Sequence, residues 1–547
     1  MLPPPPIRGL YRTDHRARAA YAEGAGIFRI LPAAVCVPLD REDLTSLAHW
    51  ASAYRMALVP RGAGSAMGGG NVGDGIVVDL TALPLRVEVD APRLRARASA
   101  SVTLAGLNVA AGEVGLRLPP DPSSGRWATL GGMLSTNAAG ARSVRYGSVR
   151  RWVEAVQLVT ADGETVELRR GQSADSRSRA LARFEADAAP AIRAGAELVR
   201  ARFPRTRKNA SGYALDAWLE SGDVLDLVVG AEGTLGFVTV AEWRLDPVPV
   251  ARAGLRIALG SLDALGAAVA ALLEHEPSAV ELLDRSFLEL VGEAGPEAVL
   301  LIEMEREDAA AARTAVQDAA AAVAPWAERV DAGLTPAAAE RLWALRHAAS
   351  PILAGLPETR RSLQVIEDGC VPVEQMGAYI RAVREAAAAR GLAIVVFGHA
   401  GDGHVHVNLL PEVGRAGWET SVASLLEAVT DALVHLGGTP SGEHGDGRLR
   451  AGLLARVYGD EIMALFARVK AAFDPLGLLN PGVILPCADG PSAGPPPISR
   501  LKVGAQAIAL PDDIARGLRR IEQGGGYAQS RLELADGVPA GGLPPQP

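Results

Sequence analysis

Two segments dominated by small side chains limit what this chain can build. Residues Leu118–Val153 read LPPDPSSGRWATLGGMLSTNAAGARSVRYGSVRRWV, and Pro60–Gly70 read PRGAGSAMGGG. Such stretches make a poor core, yet their backbone can lie against a large planar ligand or turn its N–H groups around an anion. The shorter loop follows VCVPLD, REDLTSLAHWASAYRM and ALVP, and precedes GIVVDL. That order predicts an α/β or α+β unit that binds something along a loop, with Arg61 adding charge. No Lys-Ser/Thr follows, so it is not a Walker A loop, and no helix and ribose-binding acid stand where a Rossmann fingerprint needs them. In DLVVGAEGTLGFVTVAEWRLDPVP, Gly230, Gly233 and Gly236 interrupt a strand–turn–strand, which again places backbone against a ligand.

A second constellation lies three hundred residues on. Four of the nine histidines fall in VVFGHAGDGHVHVNLL (Val395–Leu410) and SGEHGDGR (Ser441–Arg448). The first reads as a hairpin: alternation puts His404 and His406 on one face, and the short turn returns the chain near His399. Glu443 and His444 sit between glycines, on backbone that can approach a site closely. Imidazoles with a carboxylate suit Zn²⁺, Mn²⁺ or Fe²⁺, and a histidine beside the metal can serve as a general base. Two polar hairpin loops whose histidines merely hydrogen-bond would show the same residues, and residue types alone do not separate the two readings.

Composition narrows the field. With 63 acids against 55 bases the net charge is −8, so no nucleic-acid or broad membrane footprint is encoded. The positive charge is almost all arginine; the lysines are Lys208, Lys470 and Lys502. Cys36, Cys370 and Cys487 lie far apart with no CxxC, which excludes a zinc knuckle or an iron–sulfur cluster within these residues. No apolar run reaches the roughly 18 residues of a membrane span, and MLPPPPIRGLYR lacks the apolar core of a signal peptide. The expectation is a soluble, cytoplasmic protein of two or three domains.

The series PRGAGS, PPDPSS, TLGGMLSTNAAG, YG, VVGAEGTLGFVT resembles the FAD-binding domain of the vanillyl-alcohol-oxidase/PCMH flavoprotein superfamily. FGHAGDGHVHVN, SGEHGDGR and DPLGLLNPG are similar to its D-lactate dehydrogenase, glycolate oxidase subunit and D-2-hydroxyglutarate dehydrogenase branch. The resemblance runs from about Ala33 to Pro486. It implies an α+β fold: a two-subdomain FAD-binding domain at 33–250 behind an N-terminal arm (1–32), an α+β cap at 251–392, and a C-terminal helical segment with the metal and catalytic motifs at 393–486. Residues 487–547 are expected to be a largely flexible Pro/Gly-rich tail with one short helix, PDDIARGLRRIEQ.

By the same resemblance, Arg61, Gly62, Ala63, Gly64 and Ser65, with Gly131, Gly132, Ser135 and Asn137, would hold the FAD pyrophosphate through backbone N–H groups. Pro120, Asp121, Gly140, Gly147, Glu232, Gly233 and Val238 would line the rest, with Asn480 in a turn near the flavin. The first loop has neither histidine nor cysteine for a covalent tether, so FAD is expected to be non-covalent. Arg346 would grip the substrate carboxylate, helped by Ser350, and Arg361 matches a further basic contact. His399, His406 and Glu443 match the metal ligands, His444 the base, and Asn408 a substrate contact, while His404 departs from the family pattern and is either an extra pocket group or, the preferred reading, a solvated histidine. The activity implied is oxidation of a D-2-hydroxyacid, with electrons passed to a separate iron–sulfur subunit or to a quinone or cytochrome. Group transfer of the ether-lipid synthase type, or a flavin-binding electron-transfer subunit, are the alternatives.

Overall fold

A computed structural model describes residues 2–172, 177–487, 498–524, 526–527 and 530–537, without the side chains of residues 349 and 350. The chain folds as α+β, in sheets that meet around one cavity.

The first sheet carries the strands Leu10–Arg12, Ala34–Val37, Ile76–Asp79 and Leu58–Arg61, side by side in that order. The last three are parallel, and both faces are covered, so they read as continuous apolar runs. Ala34, Cys36, Leu58, Ile76 and Val78 pack on Leu44, Leu47 and Trp50 of the helix Arg41–Tyr54. That helix starts where Asp40 accepts the N–H of Asp43, a side-chain cap on an otherwise orphan donor. On the other face Val35, Val37, Val59 and Val77 meet Ala17 and Tyr21 of the arm.

A five-stranded sheet follows, in the order Val87–Asp90, Arg95–Ser99, Phe237–Arg244, Val153–Val159, Thr165–Arg169. Its last pair is the hairpin expected at Asp162-Gly163, where Gly163 takes φ 75°. The helix Asp460–Phe473, far along the chain, returns to this half and buries Ile462, Phe466 and Val469 in its core.

The third sheet has seven antiparallel strands, ordered Ala327–Gly333, Ala251–Leu259, Ala298–Arg306, Ala279–Asp284, Ala393–His399, His404–Leu410, Gly369–Cys370. The boundary expected at 392 therefore cuts through one sheet rather than between two units: the histidine hairpin pairs directly with the strand Ala279–Asp284.

The tail differs from expectation as well. Its helix Asp512–Gly524 forms at the place expected, but it is not a free segment: Ile514, Leu518 and Ile521 pack against Ala17, Ala20 and Tyr21. Lys502 reaches the Ala25 carbonyl at 3.2 Å and Glu522 at 2.9 Å. A long amphipathic helix with a two-turn apolar face needs a partner, and the arm supplies it. Residues 488–497 and 538–547, which belong to the segment expected to be flexible, lie outside the described residues.

Candidate active site

A cavity of about 460 Å³ runs from the loop Pro60–Met67 to the histidine hairpin. Its first wall is the glycine loop. Among the described residues, the N–H groups of Gly62, Ala63, Gly64 and Ser65 donate to no protein acceptor, although all four residues line the cavity. Four successive open donors form a nest for an anion, which is what a dinucleotide pyrophosphate requires. The Arg61 side chain does something other than add charge to that nest. It is buried, donating to the carbonyls of Glu23 at 2.9 Å and Asn71 at 3.3 Å, and so braces the loop from behind.

The second wall is the helix Leu130–Thr136. Here the expected N–H donors are engaged already: Leu130 donates to Val102 O, Gly131 to Ala100 O, and Gly132 to Thr129 Oγ1. Its contribution is close packing, since a Cβ at Gly131 would stand 2.7 Å from that of Ala100. Gly131, Gly132, Ser135, Asp121, Gly140, Glu232, Gly233 and Val238 line the cavity as expected, whereas Pro120, Asn137, Gly147 and Asn480 do not. Asn137 ends the helix at φ 51° and accepts from the Arg150 N–H. Asn480 is a staple: its Nδ2 donates to the carbonyls of Gly70 and Glu232, each at 2.8 Å. Burial, helped by nearby Asp446, pushes the Glu232 carboxyl up to about 8.

The far end of the cavity is built by strand register. Glu281 stands directly opposite His399, and Phe397 opposite His406. Three ligand atoms converge there: His399 Nε2 to Glu443 Oε1 is 3.2 Å, His406 Nε2 to His399 Nε2 is 3.3 Å, and His406 Nε2 to Glu443 Oε1 is 3.6 Å. Ligands of one tetrahedral ion at about 2.1 Å stand about 3.4 Å apart, so the spacing fits a divalent cation. The outer ring nitrogens support it. His406 Nδ1 meets the Glu367 carbonyl at 2.8 Å and His399 Nδ1 meets Glu281 Oε1 at 2.5 Å, which leaves both Nε2 lone pairs facing inward. Burial, reinforced by the neighbouring imidazoles, holds His406 well below its ordinary pKa and therefore neutral, as a ligand must be.

Glu281 also accepts Arg346 Nε at 2.6 Å, so one buried carboxylate aligns His399 and the arginine together. Burial would raise its pKa, but His399 and Arg346 outweigh that and bring it to about 2. Arg346 lies over the Phe397 ring at 4.7 Å and lines the cavity, as do Asn408 and His444. His444 Nδ1 meets Glu367 Oε2 at 2.6 Å. Burial opposes its charge, but Glu367 and Asp368 carry it up to about 10. A dication bound between His399, His406 and Glu443, whose Oε1 lies 3.8 Å from His444 Nε2, would act in the opposite direction and favour the base form.

Two expectations are corrected, and a third falls outside the described residues. His404 is not solvated: it is fully buried, with Nε2 2.8 Å from Asp368 and Nδ1 3.4 Å from Lys208 Nζ. Arg361 does not reach the cavity, because it is buried on Glu522 of the tail helix and on Glu358. The Ser350 side chain lies outside the described residues. Sequence reasoning missed Glu281, Glu367, Asp368 and Lys208. An acid in the middle of the apolar run AVELLD was the available signal for Glu281, and the rarity of lysine was the signal for Lys208.

Residues 32–169 match the FAD binding domain family, and residues 248–484 match the C-terminal domain of FAD linked oxidases. The chain belongs to the FAD-linked oxidases. Within that class it is 30% identical to a D-lactate dehydrogenase of Archaeoglobus fulgidus, over 82% of this chain and 91% of that one. It is 28% identical to the glycolate oxidase subunit GlcD of Bacillus subtilis, over 83% and 89%. A D-2-hydroxyglutarate dehydrogenase of Pseudomonas putida is 30% identical over 87% of this chain but only 50% of its own length. Among solved structures, 4-ethylphenol oxidase from Gulosibacter chungangensis superposes with TM-score 0.64 at 15% identity, covering 87% of this chain and 94% of that one. An alkyldihydroxyacetonephosphate synthase superposes with TM-score 0.60 at 16% identity, covering 86% and 83%. Both share the fold. No helix among the described residues is long and apolar enough to cross a membrane.

Proposed function

We propose that this chain is an FAD-dependent dehydrogenase that oxidises a D-2-hydroxyacid of the lactate, glycolate or 2-hydroxyglutarate kind to the 2-oxoacid. One observation carries the reading: a cavity that begins at an open N–H nest ends where His399, His406 and Glu443 meet beside His444 and Arg346. Non-covalent FAD, when bound, supplies the two-electron oxidant for the Cα–H bond, and a divalent cation (Zn, Mn or Fe) supplies Lewis acidity at the substrate oxygens.

The chain's own residues do the positioning and the proton chemistry. The amides of Gly62–Ser65 hold the pyrophosphate. Arg346, with Nε on Glu281, keeps both Nη groups for a bidentate grip on the carboxylate. His444, oriented through Nδ1 by Glu367, takes the hydroxyl proton at Nε2. Asn408, whose Oδ1 accepts from Ser362 and Gln364, presents its amide nitrogen to a substrate oxygen. Asp121, Gly140, Glu232, Gly233 and Val238 wall the flavin, and Asn480 clips two of its loops together. Electrons would pass to an acceptor such as a separate iron–sulfur subunit, a quinone or a cytochrome; the three cysteines Cys36, Cys370 and Cys487 are free thiols. A cytoplasmic protein held at the inner membrane by such a partner fits this reading.

An anaerobic absorbance scan against D- and L-2-hydroxyacids tests it. Bleaching of a flavin band by a D-acid is expected. A bound flavin that no acid bleaches overturns the dehydrogenase reading in favour of group transfer, and failure to take up FAD on reconstitution overturns the cofactor.

A further inference from the structure

Two side chains of the substrate end stand on either side of one short connection. Arg346 is carried by the helix Pro336–Gly355, with Trp343 one turn before it, and both line the cavity. Asn408 is held through Oδ1 by Ser362 at 3.1 Å and Gln364 at 3.3 Å, and Leu363 between them pairs with Leu409. Residues 356–361 alone join that helix to Ser362. The helix end is weakly held from within. Pro351 lies inside it and lacks the N–H that would tie the last turn back to the His347 carbonyl, and the final carbonyls of any helix have no partner in the helix itself. Glu281 fixes Arg346 Nε at one point, which leaves the direction of the helix to be set elsewhere.

The C-terminal segment closes on this connection. Arg519, on the helix Asp512–Gly524, donates from Nη2 to the carbonyls of Ala354 and Leu356 at 3.3 and 2.9 Å, and its Nε pairs with Glu358 at 2.9 Å. It therefore caps the weak helix end from a distant part of the chain, and a cation there is favoured by the helix dipole as well. Arg361 is gripped from both sides, by Glu358 at 3.1 Å and by Glu522. The segment is in turn moored to the N-terminal arm: the Lys502 N–H donates to the Ile27 carbonyl at 2.9 Å, and its ammonium reaches the Ala25 carbonyl and Glu522. This clamp lies beyond the residues that match the oxidase family, which end at 484.

We propose, on the dehydrogenase reading above, that Arg519 is a positioning residue for substrate binding: from outside the cavity it fixes the end of the helix that carries Arg346 and the connection that leads to the support of Asn408. A bidentate grip on a carboxylate needs the guanidinium in one plane and one place, and a misplacement of about 1 Å is enough to lose it. Arg519 touches neither the Gly62–Ser65 nest nor His399, His406 and Glu443, so its loss leaves the cofactor and metal sites built. The coupling also runs in reverse. If docking of the tail favours carboxylate binding, carboxylate binding favours docking by the same factor.

The test is anaerobic stopped-flow reduction of the holoenzyme in wild type, Arg519→Ala and Arg519→Lys, with whichever of D-lactate, glycolate and D-2-hydroxyglutarate reduces the wild type fastest. Arg519→Ala is expected to raise the substrate dissociation constant about 10-fold, with the limiting reduction constant within about 3-fold and FAD and metal content unchanged. Arg519→Lys keeps the cation but not the fork, and is expected to recover part of that affinity. An unchanged dissociation constant in Arg519→Ala, or loss of FAD along with affinity, overturns the proposal while leaving the dehydrogenase reading intact. Reduction of the wild type by none of the three acids overturns that reading and the proposal with it. A second measurement needs no substitution: saturating oxalate, a redox-inert carboxylate, is expected to slow amide exchange in the helix Asp512–Gly524 of the wild-type holoenzyme about 10-fold. Equal exchange with and without oxalate overturns the proposal.

Discussion

Lysine is retained at only three places in a chain that otherwise uses arginine, and each ammonium is threaded into the interior. Lys208 Nζ touches Glu443 Oε2 at 2.9 Å, His404 Nδ1 at 3.4 Å and the Gly140 carbonyl at 3.3 Å. Lys470 Nζ touches the carbonyls of Thr234 and Leu479 and the Asp474 carboxylate. These acceptors surround a point, which suits a compact ammonium and not a planar fork. Lys208 holds the second oxygen of Glu443, so that Oε1 alone faces the two histidines. Lys208→Met is therefore expected to weaken metal binding about 10- to 100-fold with FAD retained, read by metal content against flavin absorbance. His444→Ala is expected to keep both metal and FAD but to slow flavin reduction by about 10² to 10⁴, measured by stopped flow. At this scale the sequence was readable where motifs are dense: His399, His406, Glu443 and His444 meet as the hairpin and the glycine-flanked pair suggested. It was silent on Glu281 and Lys208, because each acts through a partner more than a hundred residues away that only the sheet register or the tertiary fold brings near.

At the scale of elements, the tail helix Asp512–Gly524 fastens three separate parts of the chain. Its Arg519 donates to the carbonyls of Ala354 and Leu356, at the end of the helix that carries Trp343 and Arg346. Glu522 accepts from Lys502 and Arg361, and the apolar face covers the N-terminal arm. Burial would raise the Glu522 pKa, but Lys502 and Arg361 outweigh it and bring it down to about 2. The folded value lies below the unfolded value of about 4.3. The stabilisation is thus fully present above that value and is lost as pH falls towards 2, an effect on the order of 3 kcal/mol. The protection of amides in the helix Asp512–Gly524, measured relative to the intrinsic exchange rate at each pH, is expected to fall between pH 4 and pH 2 (about the window set by the two pKa values), and Glu522→Gln should remove that step in mass-spectrometric exchange. The helix itself could be read from its acidic start and spaced apolar residues. Its docking could not, since arm and tail lie at opposite ends of the chain.

For the whole molecule, the flavin-loop half and the seven-stranded sheet are locked by ion pairs as well as by apolar contact. Arg142 grips Glu303, while Arg117 and the Tyr146 hydroxyl both donate to Glu305, which is nearly inaccessible to solvent. Removing one side of such a pair leaves a buried charge uncompensated. Arg142→Leu is expected to cost about 3 to 5 kcal/mol, seen as a lower midpoint in denaturant. The glycine loops announced a ligand cavity in the sequence, but the division of labour between them did not show: among the described residues the first keeps the N–H groups of Gly62–Ser65 open, whereas those of Leu130–Gly132 are consumed at a helix start.

The Asn480 staple has a consequence for biosynthesis. The loop ending at Gly70 and the turn at Glu232 emerge from the ribosome well before the side chain that joins them and before the backbone pairing of Leu58 with Leu479 can form. The two flavin loops are therefore joined only once the chain has been made at least as far as residue 480, 248 residues after the second of them.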